Sequence, residues 1–484
     1  MEKAVWDFKS QFENLDKNDR IFDCMVAEFL LSDGRYIPTE ERALRDYKVT
    51  SLDELATLQR KKFEALPALH KLFTEIEMPL VRILAQMELH GIELDTTLLR
   101  SVGEEIEKAI VILDEKIKKE VGFDINLNSS VQVGNFLAEK AGVPLSKTKT
   151  GRYATNETEI AKFANQFPIV SDLLNYRELT KLRSTYVESL IDKVDKKNRV
   201  HTTYNQVAVS TGRLSSSNPN LQNIPVTSQF GQKIKSCFIA GKDNILLSFD
   251  YSQQELRILA HLTEEEKLID AFNNNRDVHK ITASQIFHVD YDAVTKEQRM
   301  VGKTINFGII YGMSSYGLSV GLTIAVDEAQ GFIDTFYATY PKIQTYYESY
   351  LKQARIDGFV ETMLGRRRYV FEYPQQKVID NSTRRVLMNY PIQGTAADLM
   401  KKAMIDIDRD ILSKEKDVKL LLQIHDDLVF EVPDPSTSSG QVSAKTKELI
   451  GKIKSIMCEV YPLSVPIEVD VKRGKNWGEM EKLV

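Results

Sequence analysis

Two aspartates stand where apolar runs end. Asp250 follows NILLSF and precedes YSQQELRILAHL, and Asp426 lies between LLLQI and LVFEV, at the tip of an expected hairpin. A lone aspartate at a strand end is ordinarily a turn residue. Two of them, brought to one sheet edge by adjacent strands, could serve two-metal phosphoryl transfer, in which shared carboxylates hold cations about 3.5–4 Å apart. One cation lowers the pKa of an attacking hydroxyl, and the other neutralises the leaving group. Carboxylate oxygens suit Mg²⁺, which keeps waters and accepts phosphate oxygens as ligands. The spacing is compatible with both readings.

A second constellation is RMVGKTINFGIIYG, which sets Arg299, Lys303, Phe307 and Tyr311 at successive steps of four. Each step turns a helix by about 400°, so neighbours in the series are displaced by only about 40° and share a face. Two cations followed by two aromatics is an order that grips a triphosphate and then covers a sugar and base. An amphipathic helix with a solvated basic end and a buried aromatic end has the same pattern. Gly308 and Gly312 weaken the helix end, which suits a moving element.

The elements that must position these groups are legible in outline. Apolar spacing predicts long helices over residues 76–120, interrupted at Gly91, and again over 156–195. Residues 200–209, VHTTYNQVAV, alternate and read as a strand. Ile245–Phe249 is a strand that delivers Asp250. Residues 251–415 read as mainly helical. Val418–Ile424 and Leu428–Val432 form a hairpin around His-Asp-Asp, and a last strand is expected at Pro466–Val471. Leu145–Thr155 and the stretch PDPSTSSGQVS from Pro433 read as loops. The class is α+β, with a few antiparallel strands and many helices.

Composition is that of an ordinary globular chain: 484 residues, 42% hydrophobic, 27% charged, net charge −5. That length calls for several subdomains. No apolar run is long enough for a membrane helix, and MEKAVWDFKS does not read as a secretory leader. Cys24, Cys237 and Cys458 are widely separated, so neither a zinc site nor a disulfide framework is indicated, and a reducing compartment is expected. The net charge argues weakly against a nucleic-acid binder, although binding depends on local charge. Basic clusters occur at Lys147, Lys149 and Arg152, at Lys181 and Arg183, at Arg366–Arg368, and at Arg384 and Arg385. Taken alone, each reads as solvated surface.

Five segments in this order, TGRLSSSNPNLQNIP, DYSQQELRILAHL, RMVGKTINFGIIYG, NYPIQGTAADLM and QIHDDLVFEV, resemble the family A DNA polymerases, the bacterial DNA polymerase I type. The likeness runs from about residue 76 through the ending GKNWGEM, as in a Klenow-like large fragment. It implies a right-hand fold: thumb at 76–200, palm at 201–270 and 389–484, fingers at 271–388. It implies template-directed addition of dNMPs to a primer 3′-OH, with two Mg²⁺ ions (or Mn²⁺ in their place). The partners implied are primer–template DNA and dNTPs, with no membrane, for a monomer in the cytoplasm at the nucleoid or virus-encoded in a host cell.

The resemblance also assigns residues. Asp250 and Asp426 match the catalytic metal ligands, with the Tyr251 carbonyl as a further ligand. Glu255 matches the gate that leaves no room for a 2′-hydroxyl. Arg299 and Lys303 match the triphosphate pair, Lys303 counting as catalytic too. Phe307, Tyr311, His279 and Gln253 match nucleotide contacts; for His279 a helix-surface histidine is the alternative. Arg213, Asn389, Gln393 and His425 match contacts to the terminal base pair, and Asn223 a further DNA contact. Minor-groove acceptors are alike in all correct pairs, so donors there check shape without reading sequence. Arg385 matches a template-phosphate contact, and the loop SKTKTGRYAT with Lys181 and Arg183 a grip on duplex phosphates.

Departures are specific. The usual Glu after the second catalytic Asp is Asp427, one methylene shorter. Thr227 stands where an Arg often follows NIPV. Residues 1–75 replace a much longer exonuclease domain, contain no Asp-x-Glu triplet, and keep only Asp23, in IFDCMVAEFLL, at a carboxylate position. The expectation is a truncated, vestigial segment without 3′–5′ proofreading, and no 5′ nuclease domain. A reverse transcriptase shares these motifs. Glu255 argues against an RNA polymerase, and the intact Asp250, Arg299, Lys303 and Asp426 against a catalytically dead DNA-binding protein.

Overall fold

A computed structural model describes residues 2–14, 20–225, 228–370, 379–434 and 443–483. Thr227 and most of the PDPSTSSGQVS stretch lie outside them.

The centre is a five-stranded antiparallel sheet. Its strands are β1 (Asn244–Tyr251), β4 (Lys419–Ile424), β5 (Asp427–Pro433), β6 (Val469–Gly474) and β7 (Glu481–Leu483), in the order β4-β5-β1-β6-β7. Between β1 and β4 the chain forms a small hairpin, β2 (Phe359–Glu361) and β3 (Arg367–Tyr369). The apolar run of β1 is continuous because both sheet faces are covered. Ile245, Leu247 and Phe249 enter one core; Leu246 enters another. The period-two alternation of a strand thus divides β1 between two layers. On β5, Leu428 and Phe430 join the first core and Val429 the second.

The first core packs helix α1 (Met78–His90), through Leu80, Ile83, Leu84 and Met87, against α3 (Gln254–Thr263), α5 (Lys296–Ile310) and α6 (Asn381–Ile407). The second core is built on α2 (Thr96–Val121) and the helices over residues 168–191. The break at Gly91, at φ +55, holds a short strand, Ile92–Leu94, as well as the expected turn. A third core belongs to the N-terminal segment and gathers Phe8, Phe22, Phe29, Leu55, Phe63 and Phe73.

Two sequence expectations need correction. Residues 200–209 are not one strand: only Thr203–Asn205 is extended beyond Val200, paired with Ser215–Ser217, and the chain turns at Gln206. The last strands are Val469–Gly474 and Glu481–Leu483, starting later than Pro466. The central sheet is antiparallel as expected; Lys3–Val5 and Ile21–Asp23, outside it, pair in parallel.

Candidate active site

The carboxylates come together through strand register. Asp427 is the direct cross-strand partner of Asp250, and Asp470 of β6 is its partner on the other side. Opposed residues share a sheet face, so the three carboxylates form a row. Asp426 lies just before β5, and its carbonyl accepts the Tyr251 N–H at 3.0 Å. Ile424 pairs with Asp427, so the hairpin turns through His425 and Asp426 alone, with His425 at φ +51.

Crowding sets the electrostatics. Burial first, and then the Asp427 charge, push the Asp250 carboxyl up to about 7, against the pull of Lys472. Burial also raises Asp426, opposed by Arg213 and His425. Asp427 is raised by burial, but both of its oxygens lie within hydrogen-bond reach of the Ser248 hydroxyl, at 2.8 and 2.9 Å. An all-oxygen donor set whose negative charge is only partly offset by Lys472, Arg213 and His425 fits a hard divalent cation. Among the described residues no three His, Cys, Asp or Glu side chains are placed so that together they could hold a metal ion.

Glu255, on the first turn of α3, is 3% exposed. Arg213 Nη2 reaches its Oε1 at 2.6 Å and the Tyr311 hydroxyl donates to its Oε2 at 2.8 Å. Burial raises its pKa, and both partners oppose that. The preceding Gln253 takes φ +54, and its Oε1 is buried without a partner. Arg213 lines a cleft together with Gly212, Gln222, Gln423, His425 and Asp426.

The helix α5 starts at a capping box made by Thr295 and Gln298. Arg299 is held by Asp277 at 2.6 Å, and Asp277 also caps α4 (Val278–Phe287) through the His279 and Lys280 N–H groups. Lys303 is exposed. Phe307 lies 5.7 Å from the His279 ring. Tyr311 is the C-cap, and its N–H still donates to the Phe307 carbonyl at 3.0 Å. A Cβ on Gly302 would come within 2.3 Å of the His279 carbonyl, so α4 and α5 approach closely only because residue 302 is glycine. His279 is not a surface histidine. It is 2% exposed, burial pulls its pKa down to about 4, and the Asn306 amide donates to Nδ1 at 2.9 Å. The neutral ring therefore carries its proton on Nε2.

Other expected contacts are spread around this centre. Asn389 donates to the Ile310 carbonyl at 3.3 Å, tying α6 to the end of α5. Gln393 is half-buried on α6, and Arg385 is exposed beside Gly312. His425 and Asn223 are exposed; the Asn223 carbonyl accepts the Tyr186 hydroxyl. Arg183 is not brought to the cleft: it pairs with Glu107 and, at 3.1 Å, with Glu188. Sequence reasoning missed Gln222 and Gln423. Gln222 reaches Gln423 at 3.1 Å, and Gln423 donates to the His425 carbonyl at 2.6 Å, supporting the turn that presents Asp426. Only the NLQNIP and LLLQI motifs themselves carried a hint of them.

Two basic or acidic groups differ from expectation. Arg366 is not solvated surface but 2% exposed, because Glu77 and Asp398 take its guanidinium. Asp23 is buried, and its oxygens accept the N–H groups of Phe8, Met25 and Val26 at 2.6, 2.9 and 3.1 Å. It serves as a helix cap.

The central antiparallel sheet thus brings Asp250 and Asp426 together at the end of adjacent strands, and Glu255 ties them to the helix that carries Arg299, Lys303 and Phe307. Residues 96–479 match the model of DNA polymerase family A, and the chain belongs to that family. It is 40% identical over 459 residues to DNA polymerase I of Chloroflexus aurantiacus, covering 92% of this chain and 47% of that protein. It is 43% identical over 411 residues to the thermostable DNA polymerase I of Thermus aquaticus, covering 84% and 48%. The chain thus spans about half the length of these relatives. Among solved structures it resembles the POL domain of Pol1 from M. smegmatis in complex with DNA primer-template and dNTP, with a TM-score of 0.86 at 34% identity, covering 94% of this chain and 82% of that one. The right-hand architecture follows from this likeness. Enzymes of the family are metal-dependent. No helix among the described residues is long and apolar enough to cross a membrane.

Proposed function

We propose that this chain is a template-directed DNA polymerase that extends a primer 3′-OH with dNTPs. The observation that carries the reading is the joining of two half-sites. Glu255, next to the Asp250 strand, holds Arg213 of the cleft and Tyr311 of the α5 face at once.

In the reaction the primer 3′-oxygen bonds to the α-phosphorus, the bond to the bridging oxygen breaks, and pyrophosphate leaves. Lys303 and Arg299 meet the triphosphate and the charge that grows on the leaving group. Asp277 keeps Arg299 in place for that. Phe307 and Tyr311 cover sugar and base. His279 offers its Nε2 proton to a phosphate oxygen, and Gln253 lies next to the gate. Glu255 fills the space a 2′-hydroxyl needs. Arg213, Asn389, Gln393 and His425 face the terminal pair, Asn223 makes a further DNA contact, and Arg385 and Arg183 take template and duplex phosphates; Arg183 must exchange its glutamates to do so.

Asp250, Asp426 and the Tyr251 carbonyl would hold two Mg²⁺ ions, which supply a lowered hydroxyl pKa and charge neutralisation when bound. The subdomains we assign are thumb 76–200, palm 201–270 and 389–484, and fingers 271–388, preceded by an exonuclease-like segment, 1–75. That segment carries no proofreading in our reading, since the oxygens of Asp23 are taken by backbone N–H groups. The chain acts as a monomer in the cytoplasm, at the nucleoid or in a virus-infected host.

Primer extension with Mg²⁺ and dNTPs tests this. Asp250→Ala and Asp426→Ala should each reduce extension by about 10²- to 10³-fold or more, the scale set by loss of a transition-state electrostatic group. Full activity in both variants would refute the assignment.

A further inference from the structure

The loop that carries Arg213 is clamped from several directions. The Ser210 carbonyl accepts the Tyr390 hydroxyl at 3.1 Å. A Cβ on Gly34 would lie 2.7 Å from Ser210 Cα, and one on Gly394 would lie 3.3 Å from the Thr211 carbonyl. Gly212, at φ +83, rests on the Arg366 guanidinium: a Cβ there would lie 2.4 Å from Arg366 Nε and 2.5 Å from Cζ. The planar guanidinium is the floor on which the residue before Arg213 sits.

That floor is fixed by buried charge. Arg366 Nε and Nη2 bind Asp398 Oδ1 at 2.9 and 2.7 Å, and Nη2 also binds Glu77. Lys401 binds Glu77 at 2.7 Å, and the Thr362 hydroxyl donates to Asp398 at 2.7 Å. The Gln206 side-chain amide donates to the Glu77 backbone carbonyl at 2.8 Å and to the Glu77 carboxylate. Two cations and two carboxylates, all at most 2% exposed, balance one another in charge. Removing one member of such a set leaves an uncompensated buried charge. Its members come from the junction before α1, from the β2–β3 hairpin and from α6, three segments far apart in sequence.

We propose that Arg366 is a positioning residue for Arg213, and that Glu77 and Asp398 keep its plane under Gly212. The proposal rests on the polymerase reading, in which Arg213 meets the primer terminus and braces Glu255. Lysine cannot replace the planar fork, although it keeps the charge. Because Arg366 acts only through Arg213, its effect vanishes when Arg213 is absent.

A double-mutant cycle in the full chain tests this. The quantities are kcat/KM for extension of a matched primer by the unsubstituted protein, Arg366→Lys, Arg213→Ala and the double variant, with thermal melting as the folding control. Arg213→Ala and Arg366→Lys should each lower kcat/KM by roughly 10- to 100-fold, the scale of a small misplacement at a reacting centre. The double variant should match Arg213→Ala within about 2-fold, the signature of coupled sites. Multiplying losses, or a folded Arg366→Lys with unchanged kcat/KM, overturns the positioning role. Should Arg366→Lys melt below the parent, the cycle is run at a temperature at which circular dichroism shows all four proteins folded, with the same expected outcome. No extension by the unsubstituted protein overturns the polymerase reading, and this assignment with it.

Discussion

Tyr311 donates its hydroxyl to Glu255 at 2.8 Å, so the end of the α5 face is fastened to a buried carboxylate on α3. Arg213 takes the other oxygen at 2.6 Å. Glu255 is therefore held from two sides, and in the proposed reading its bulk is fixed beside the nucleotide sugar.

Glu255→Ala should relax sugar discrimination. The ratio of kcat/KM for ribonucleotides to that for deoxynucleotides should rise by about 10- to 100-fold, the range that one steric contact in a pocket commands. Single-nucleotide incorporation assays measure it. An unchanged ratio means that Glu255 does not face the sugar.

Proton and cation compete for Asp250. With its carboxyl near 7 in the metal-free protein, affinity for Mn²⁺ should climb between about pH 6 and 8, because the ligand must lose its proton to bind. Asp427→Asn removes a like charge directly opposite, so the Asp250 pKa falls and the climb moves to lower pH. Titration calorimetry with Mn²⁺ at several pH values reads both effects. A pH-independent affinity contradicts this account.

Glu77 makes a prediction for folding. Lys401 and Arg366 outweigh its burial and hold its pKa at about 2, below its ordinary value of 4.5. A depressed carboxyl stabilises the fold above the unfolded pKa and loses that contribution as pH falls through the folded one. The stability difference between the parent and Glu77→Gln should thus be largest above pH 4.5, about 3 kcal/mol for a broken buried pair, and shrink toward pH 2. Urea unfolding across that range gives the curve. A difference that grows in acid has the wrong sign for this network.

Asp23 should matter for folding and not for chemistry. Asp23→Ala removes a helix cap and the bond to Phe8 N–H, at a cost of about 1–2 kcal/mol. Neither parent nor variant should shorten a mismatched 3′ end, and their extension rates should agree. Release of the mismatched nucleotide by the parent would restore a proofreading role to this segment.

The carboxylate strands were legible because their signals are local. An apolar run followed by an acid, and two apolar runs around His-Asp-Asp, are each contiguous in the chain, although the turn proved to be His425 and Asp426 alone. The face of α5 was equally plain from its four-residue spacing. What escaped was set by distant partners. Residues 200–209 alternate like a strand, but Gln206 turns away to reach Glu77, 129 positions earlier. Arg366 sits in a basic run and reads as surface until Asp398 and Glu77, 32 and 289 positions away, are brought to it. Asp470 was passed over because its place opposite Asp250 depends on strand order.

The division of β1 between two cores has a consequence for quality control in the cell. A one-residue slip of its pairing would turn Phe249 and Leu247 toward the layer meant for Leu246, and carry Asp250 out of line with Asp427. Both layers would be spoiled together, so a soluble but misaligned molecule is not an accessible state. Errors of pairing in this sheet should be seen as insoluble or degraded protein, and nearly every molecule that stays in solution should be competent.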